Sequence, residues 1–396
     1  MSELNIAMNL RLFIGCFGEA HMARMSGESG ESGESGESGE SGESGEGARS
    51  GSFTAARALI SSREGVVGMW EGIGDPPANY EAKPCALDRW STPVRLRTLT
   101  AELLSGIYYD CAQESVSVQF RDSSPGDPQT LVLMTRPGKE DFGDQLVYVN
   151  NYAALRMERS GEIMTEMTDI LSFLGSVGYL HPNRTRRTFE LLTLVLNVTG
   201  LIEMRVKHAL TCRRPVEYSP QIQPMIPTPG HGSLPSGHAT ESFAAAFVFY
   251  ALITEAGARC IKDHVRHHTF VQLMRIAERI AINRTVAGVH FPVDSVAGMV
   301  LGWALSDFFI ARFGGDADPK MRGFDGRGFA NDFSYEQVLS KSYVKRKKGR
   351  GKVEDDRNIT EGESLEIPQS YDLNHLWKQA IAECRLMICG MPENDK

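Results

Sequence analysis

Three short segments of the chain combine cations, histidines and small residues in a pattern that suits a negatively charged ligand. In chain order they read K-x6-R-P, P-S-G-H and R-x5-H-x3-D. One segment alone is weak evidence, because a lysine and an arginine seven residues apart occur in many helices. Together the segments supply the candidate site residues Lys207, Arg214, Ser236, Gly237, His238, Arg284, His290 and Asp294.

The cations of these segments predict a pocket for a tetrahedral oxyanion. Lys207 and Arg214 lie about 20° apart around an α-helix, so they share a face if the helix persists to Pro215, which would end it. Arg284 adds a third positive charge from a distant segment. Arginine offers a planar fork of donors and lysine a point charge, and both suit the oxygens of a multiply charged anion.

The remaining motif residues predict how such an anion could be held and attacked. Ser236 and Gly237 precede a helix, whose free N–H groups and positive dipole end would face the anion, and Gly237 has no Cβ in the way. Asp294 could fix the tautomer of His290 and leave its other ring nitrogen as a nucleophile or a metal ligand. His238 could transfer a proton on the opposite side.

At these positions the chain resembles the type 2 phosphatidic acid phosphatase/vanadium haloperoxidase superfamily, whose signature is KxxxxxxRP, PSGH and SRxxxxxHxxxD. The resemblance covers the signature segments within about residues 150–315, with Asn283 where the third motif usually has serine. It implies a mainly α fold, a helical bundle of this superfamily's kind. Short irregular or hairpin segments are expected in the N-terminal half.

The resemblance also implies a role for each matched residue. The equatorial oxygens of phosphate or vanadate would be held by Lys207, Arg214, Arg284 and the N–H groups of Ser236 and Gly237. His290 would be the nucleophile of a phosphatase, or the axial vanadium ligand of a haloperoxidase, and Asp294 would orient it. His238 would be the general acid/base.

The motifs do not separate the two activities, because vanadate mimics a pentacoordinate phosphoryl centre. A long N-terminal half favours a soluble haloperoxidase. His231, five residues before Ser236, also favours a haloperoxidase, since bromide-oxidising members tend to have histidine there. The alternative is that His231 is an ordinary loop histidine. The sequence therefore predicts a vanadate-dependent haloperoxidase that oxidises halide, bromide rather than chloride, with hydrogen peroxide.

Two other functions stay open at this point. The first is a soluble acid phosphatase that needs no cofactor and hydrolyses small phosphate monoesters through a phosphohistidine intermediate. The second is a non-catalytic phosphate-binding protein, which would be expected to lack some of the motif residues that this chain retains.

Apolar periodicity predicts the elements that position these residues. A helix is expected over the apolar residues from 163 to 177. Further helices are expected at about Thr188–Leu210, after Pro235 to Ala256, at about Thr269–Ile282 and from Pro292 to Phe313. A hairpin is expected around Ser115–Phe120 and Thr130–Met134.

The chain is expected to have four regions. Residues 1–55 form a disordered acidic tail with seven Ser-Gly-Glu triplets, and residues 56–150 a helical and loop region packed on the core. Residues 151–325 form the catalytic helical bundle. Residues 326–396 form a C-terminal extension with a basic loop at Lys341–Lys352.

Composition narrows the class of protein. The net charge of the 396-residue chain is −8, or −1 without the repeat, which argues against a nucleic-acid partner. Seven scattered cysteines without a CxxC pair argue against a disulfide framework and favour a reducing compartment. The apolar runs are shorter than the ~20 residues of a membrane span, and no clear signal peptide is present. We therefore predict no transmembrane segment and a cytoplasmic protein, with export not excluded; a homodimer is plausible by family analogy.

Overall fold

The computed structural model describes residues 53–67, 83–122, 126–345 and 357–389. The chain divides into two units, Met1–Ala82 and Lys83–Lys396. In the first unit the described segment is helix α1, Phe53–Val67. The predicted acidic tail lies outside the described residues except for 53–55, which belong to this helix rather than to the tail.

The second unit is built mainly from helices, as predicted. Their bounds are α2 Thr92–Leu104, α3 Lys139–Tyr152, α4 Arg156–Glu166, α5 Leu171–Leu174, α6 Arg186–Leu210, α7 Pro215–Tyr218, α8 Gly237–Ala256, α9 Asp263–Val286, α10 Pro292–Phe313, α11 Tyr335–Leu339 and α12 Tyr371–Cys389. Short 3-10 helices cover Pro84–Arg89, Ala153–Leu155 and Pro220–Ile222.

Helices α8 and α10 pack closely in the core because small residues line their contact. A Cβ on Gly298 of α10 would lie 2.7 Å from the Ser236 carbonyl oxygen and 2.8 Å from Ala239 Cβ. A Cβ on Gly302, one turn later, would lie 2.6 Å from the Thr240 carbonyl oxygen. These glycines therefore let the start of α8 lie directly against α10.

We expect Gly298→Val to destabilise the protein by about 1–3 kcal/mol, because the added side chain has no space between the two helices. Gly161→Ala is the matched control, since a Cβ at that position in α4 meets nothing within 4 Å. Urea unfolding followed by circular dichroism measures both. Equal stability of the two variants would contradict the close packing of α8 on α10.

A five-stranded mixed sheet covers part of the helical layer, and the sequence analysis did not predict it in full. The strands are β1 Ile107–Cys111, β2 Ser115–Phe120, β3 Gln129–Thr135, β4 Lys320–Asp325 and β5 Ile359–Ser364. Their spatial order follows the chain, with β3 and β4 parallel and the other neighbours antiparallel. The expected hairpin is present as β2 and β3, with Val118 opposite Val132. The sheet draws strands from all three predicted regions beyond the tail.

The helix expected from 163 to 177 is interrupted. Helix α4 ends at Glu166 and the short α5 begins at Leu171. Asp169 lies in the break, where its Oδ1 accepts a hydrogen bond from the Ser172 backbone N–H at 3.0 Å. A side chain that caps a new helix start competes with continuing the old helix, which apolar spacing alone does not register.

Two cysteines correct the expectation drawn from their spacing. Cys260, just before α9, and Cys389, at the end of α12, form a disulfide. Among the other described cysteines, Cys85, Cys111, Cys212 and Cys384 are free. The paired residues are separated by 129 positions, so no local motif predicts that they pair. The cysteine pattern therefore does not support a reducing compartment.

Helix α10 is apolar enough to resemble a membrane span. Within the described residues it alone combines sufficient length with a mean hydropathy of 1.4 over 18 residues, and 83% of that window is buried inside the protein. The expectation that no segment qualifies does not hold for α10. The core helix of a protein has the same composition, because it is apolar on every side.

Of the predicted basic loop, residues 341–345 are described and 346–352 lie outside the described residues. The predicted region boundaries at 150/151 and 325/326 stay predictions.

Candidate active site

The three sequence motifs meet where α6 and α9 end and where α8 and α10 begin. Arg214 of the first motif contacts His290 of the third, with 3.2 Å between Nη1 and Nε2. The Ser236 N–H of the second motif donates to the Asp294 carbonyl oxygen at 2.9 Å. The charged and titratable side chains at this junction are at most 5% exposed: Lys207, Arg214, Arg284, His290 and Asp294.

His290 lies in the turn before α10 and is held by Asp294 in the first turn of that helix. Asp294 Oδ2 is 3.1 Å from His290 Nδ1 and accepts the Phe291 N–H at 2.9 Å. The Ser233 hydroxyl donates to the same oxygen. Burial raises the pKa of Asp294 to about 6, and these hydrogen bonds oppose that shift.

The partners of His290 determine its tautomer. A guanidinium can only donate, so the Arg214 Nη1 contact requires a lone pair on His290 Nε2. The proton of the neutral ring then resides on Nδ1, facing Asp294. Burial, followed by the nearby positive charges, lowers the pKa of His290 well below its usual value. His290 is therefore neutral and presents Nε2 as a nucleophilic atom.

Lys207 and Arg214 do not share a helix face, in contrast to the sequence expectation. Helix α6 ends at Leu210, and Thr211 follows in the left-handed region with φ 48°. Arg214 instead precedes α7, where its backbone N–H donates to Glu217 Oε2 at 2.7 Å. Glu217 thus binds the backbone of Arg214 rather than its guanidinium. The chain reverses between the two cations and brings both to the site.

Backbone carbonyls fix the two cations. Lys207 Nζ donates to the carbonyl oxygen of Pro235. The Arg214 guanidinium donates to the carbonyl oxygens of Val289 at 2.9 Å and His231 at 3.1 Å. Burial lowers the pKa of both Lys207 and Arg214. A bound anion would offset the cost of keeping these charges out of water.

Arg284, near the end of α9, is held from one side by an acid that the sequence analysis missed. Its Nη2 forms a buried ion pair with Glu166 at the end of α4. Asn283 Nδ2 donates to the other Glu166 oxygen at 2.7 Å. Asn283, which stands where the resembled signature has serine, therefore helps to orient the partner of Arg284.

The other donors of Arg284 are unused. Its Nε and Nη1 are buried and have no hydrogen-bond partner in the described part of the chain. Buried donors without partners are costly, and an oxyanion would satisfy them. This observation supports the fit of the site to phosphate or vanadate.

His238 lies in the first turn of α8, with its Nε2 3.1 Å from the Glu166 carbonyl oxygen. Because a carbonyl oxygen only accepts, Nε2 carries a proton, and Nδ1 is the atom that can exchange one. Burial, followed by the charge of Arg284, lowers the pKa of His238 to about 3 without a bound anion. A phosphate dianion beside the ring would raise this pKa again.

At the N-terminus of α8, one of the two backbone donors expected to hold the anion is already used. Ser236 is the residue before the helix, and its N–H is already bound to the Asp294 carbonyl oxygen. Gly237 begins the helix, so its N–H has no partner within the helix. Glu203 of α6 lies against Gly237, where a Cβ would come within 2.5 Å of Oε1. Sequence reasoning missed Glu203 as well.

His231 lies at the exposed side of the site and contacts Arg214, with 3.2 Å between its Nδ1 and Nη2. The same Nδ1 lies 3.2 Å from the Gly232 carbonyl oxygen, so it faces a donor and an acceptor at equal distance. The structure therefore places His231 beside a site cation.

A residue outside the motifs holds the turn that carries His290. Arg156, the first residue of α4, donates to the carbonyl oxygens of Val286, Ile222 and Gln223 at 2.8–3.0 Å. Gly288 in this turn has φ +84°, and a Cβ there would lie 2.6 Å from Arg156 Nη2. Neither Arg156 nor Glu166 belongs to a motif, so spacing could not indicate them.

Comparison with known proteins agrees with this arrangement. Residues 189–314, from α6 to just beyond α10, match the sequence model of the PAP2 superfamily. The chain contains a PAP2 superfamily domain. Every motif residue lies inside the PAP2 domain, whereas Arg156 and Glu166 lie before it.

No curated protein sequence matches this chain significantly. One similar solved structure is the first transmembrane PAP2-type phosphatidylglycerolphosphate phosphatase from Bacillus subtilis. The two are 15% identical, and the match covers 57% of this chain and 93% of that one with a TM-score of 0.35.

Proposed function

We propose that this protein is a phosphomonoesterase that works through a phosphohistidine at His290. The observation that carries the proposal is the orientation of His290, whose Nδ1 faces Asp294 and whose Nε2 faces the Arg214 guanidinium. An unprotonated imidazole nitrogen thus lies beside a cation that can bind phosphate, and its lone pair is released for attack when the anion accepts the Arg214 Nη1 donor instead. The proposal favours the phosphatase over the haloperoxidase that the sequence predicted, because this chain alone supplies every group that phosphate transfer needs.

In the first step, Lys207, Arg214 and Arg284 bind the phosphate oxygens and stabilise the charge that develops in the transition state. His290 Nε2 attacks phosphorus and forms a P–N bond. The P–O bond to the alcohol breaks, and its electron pair stays on the leaving oxygen. His238, protonated in the presence of the phosphate dianion, gives its Nδ1 proton to that oxygen.

In the second step, water hydrolyses the phosphohistidine. Neutral His238 takes a proton from water through Nδ1, and the water oxygen forms a bond to phosphorus. The P–N bond breaks and its electrons return to His290 Nε2. Inorganic phosphate then leaves, and both histidines regain their starting states. Asp294 stabilises the positive charge on His290 while the P–N bond exists.

Vanadate-dependent halide oxidation is the second candidate, and His231 beside Arg214 is the observation that favours it. The same cations would hold the oxygens of vanadate, and His290 Nε2 would be its protein ligand. When bound, vanadate supplies Lewis-acid activation of hydrogen peroxide toward halide.

His231→Ala is expected to separate the two candidates. For halide oxidation we expect a loss of about 10- to 100-fold, because an imidazole next to the anion would be removed. Ester hydrolysis is expected to change less than about 5-fold, because the proposed hydrolysis does not use His231. The exposed His208→Ala serves as a control for both assays. Equal losses in both activities would remove the case for a halide role.

One preparation, divided between two assays, tests the proposal. The first assay follows hydrolysis of p-nitrophenyl phosphate and its inhibition by orthovanadate, with acid-quench detection of phosphohistidine. The second follows bromination of an acceptor with orthovanadate, peroxide and bromide. Ester turnover that orthovanadate blocks supports the phosphatase. Halogenation without any ester turnover would overturn it in favour of the second candidate.

A further inference from the structure

Glu203 is a buried acid next to the cations of the site, and the proposed reaction gives it no role. It lies one helical turn before Lys207 on α6 and is 6% exposed. Its carboxylate packs against the open side of Gly237, where a Cβ would lie 2.5 Å from Oε1 and 3.1 Å from Oε2. Oε2 has no hydrogen-bond partner among the described residues.

This position brings Glu203 into conflict with a bound anion. Its carboxylate lies at the positive end of α8 and is attracted by Lys207 and Arg214, the cations that would also hold the anion. When a dianion enters, two negative groups share the same positive charges with little water between them. Such groups do not both stay ionised at low cost, so a proton binds to one of them.

Glu203 can accept that proton because its pKa is already raised in the free protein. Burial raises the pKa of Glu203 to about 7, against the opposing attraction of Lys207 and Arg214. Neutralisation of these cations by an anion removes the opposing attraction, so the pKa rises further in the complex. At a pH between these two pKa values, Glu203 is ionised in the free protein and neutral in the complex.

We propose that Glu203 makes oxyanion binding proton-linked: its carboxyl group takes up one proton from solvent when a tetrahedral oxyanion enters and releases it when the anion leaves. The inference rests on the proposed function for the location of the anion. In the neutral form Glu203 no longer competes for Lys207, and its O–H can donate to the anion. In the ionised form it favours release of phosphate product.

Other titratable groups face this region and need separate control. Glu241 of α8 lies against Gly200 of α6 and acts on the charge of Lys207. Asp294 of α10 also acts on Lys207, but its carboxylate is held by Ser233 and Phe291. The pKa of His238 of α8 is about 3 in the free protein, and a bound dianion raises it. His238 is therefore a second potential proton acceptor.

The test is the binding of sulfate, a tetrahedral dianion that does not titrate between about pH 5.5 and about pH 8.5. Isothermal titration calorimetry in buffers of different ionisation enthalpy measures both affinity and protons taken up. For the wild-type protein we expect Glu203 to contribute close to one proton per sulfate at about pH 8, in addition to the proton that His238 takes up. Affinity is expected to fall about tenfold per pH unit above pH 7.

Glu203→Gln keeps the shape of the side chain and is expected to remove this uptake and flatten the pH profile above pH 7. Glu241→Gln, the matched control, removes a neighbouring carboxylate and is expected to keep both effects. Sulfate binding by the wild-type protein without proton uptake would overturn the inference, whatever the variants do. Uptake of the same size in Glu203→Gln and in the wild type would overturn it too and would assign the whole uptake to His238 or Asp294.

These outcomes are distinct from failure of the proposed function. Proton-linked sulfate binding without hydrolysis of p-nitrophenyl phosphate would contradict the phosphatase and leave the role of Glu203 intact. Hydrolysis of p-nitrophenyl phosphate combined with sulfate binding that takes up no proton would contradict the role of Glu203 and leave the phosphatase intact.

Discussion

His290→Ala is expected to abolish ester hydrolysis, with a fall in kcat on the order of 10⁴-fold or more, the scale for losing a catalytic nucleophile. The reason is geometric. Nε2 is oriented by Asp294 through Nδ1 and faces Arg214, and the alanine side chain offers no nitrogen in its place. The variant protein would retain its three cations, because each is fixed by contacts other than the imidazole ring.

A loss of kcat with retained anion binding is therefore the specific expectation for His290→Ala. Steady-state kinetics on p-nitrophenyl phosphate give the first quantity, and sulfate calorimetry gives the second. The acid-quench signal of phosphohistidine should vanish as well. Turnover within tenfold of wild type would contradict the role of His290 as the nucleophile.

Lys207→Met is expected to weaken oxyanion binding by about 2–3 kcal/mol, which corresponds to roughly 30- to 150-fold in affinity. Methionine has a similar length but carries no charge and cannot donate to the Pro235 carbonyl oxygen, as Lys207 does. The loss of the positive charge also raises the pKa of Glu203, since Lys207 is the cation that most strongly opposes the effect of burial on this acid. The lost charge and the lost donor act against a bound dianion, whereas a neutral Glu203 does not.

Arg205→Met is the matched control for Lys207→Met. It removes a positive charge from the same helix, but Arg205 is exposed and lies over the Tyr109 ring, 5.4 Å from its centre. Sulfate titration is expected to show less than about a threefold change for this control. Similar losses in the two variants would indicate that general charge, rather than a defined cage, attracts the anion.

The elements around the motifs could be predicted from the sequence where the signals that define them are close together in the chain. Pro292 in the first turn predicts the start of α10, and the observed helix spans Pro292–Phe313 as expected. The short separation of His290 and Asp294 in the sequence makes their contact at the start of α10 possible, and the two side chains lie 3.1 Å apart. The relation of Lys207 to Arg214 could not be predicted in this way, because α6 stops at Leu210.

The supporting residues could not be predicted, because their partners are distant in sequence. Glu166 is 118 positions from Arg284, and Ser233 is 61 positions from Asp294. In the sequence Glu203 resembles any acidic residue of a helix, because its contact with Gly237 is evident only in the structure. The strands β4 and β5 carry mixed polar sequences, so their pairing depends on the tertiary fold rather than on an alternating pattern.

The most direct test of the proposed site is a crystal structure of the protein with tungstate, whose anomalous signal locates a tetrahedral oxyanion. The expected result is one ion within hydrogen-bond distance of Lys207, Arg214 and both unused donors of Arg284, with His290 Nε2 facing the metal atom. An ion bound elsewhere, with Arg284 still unpartnered, would contradict the account.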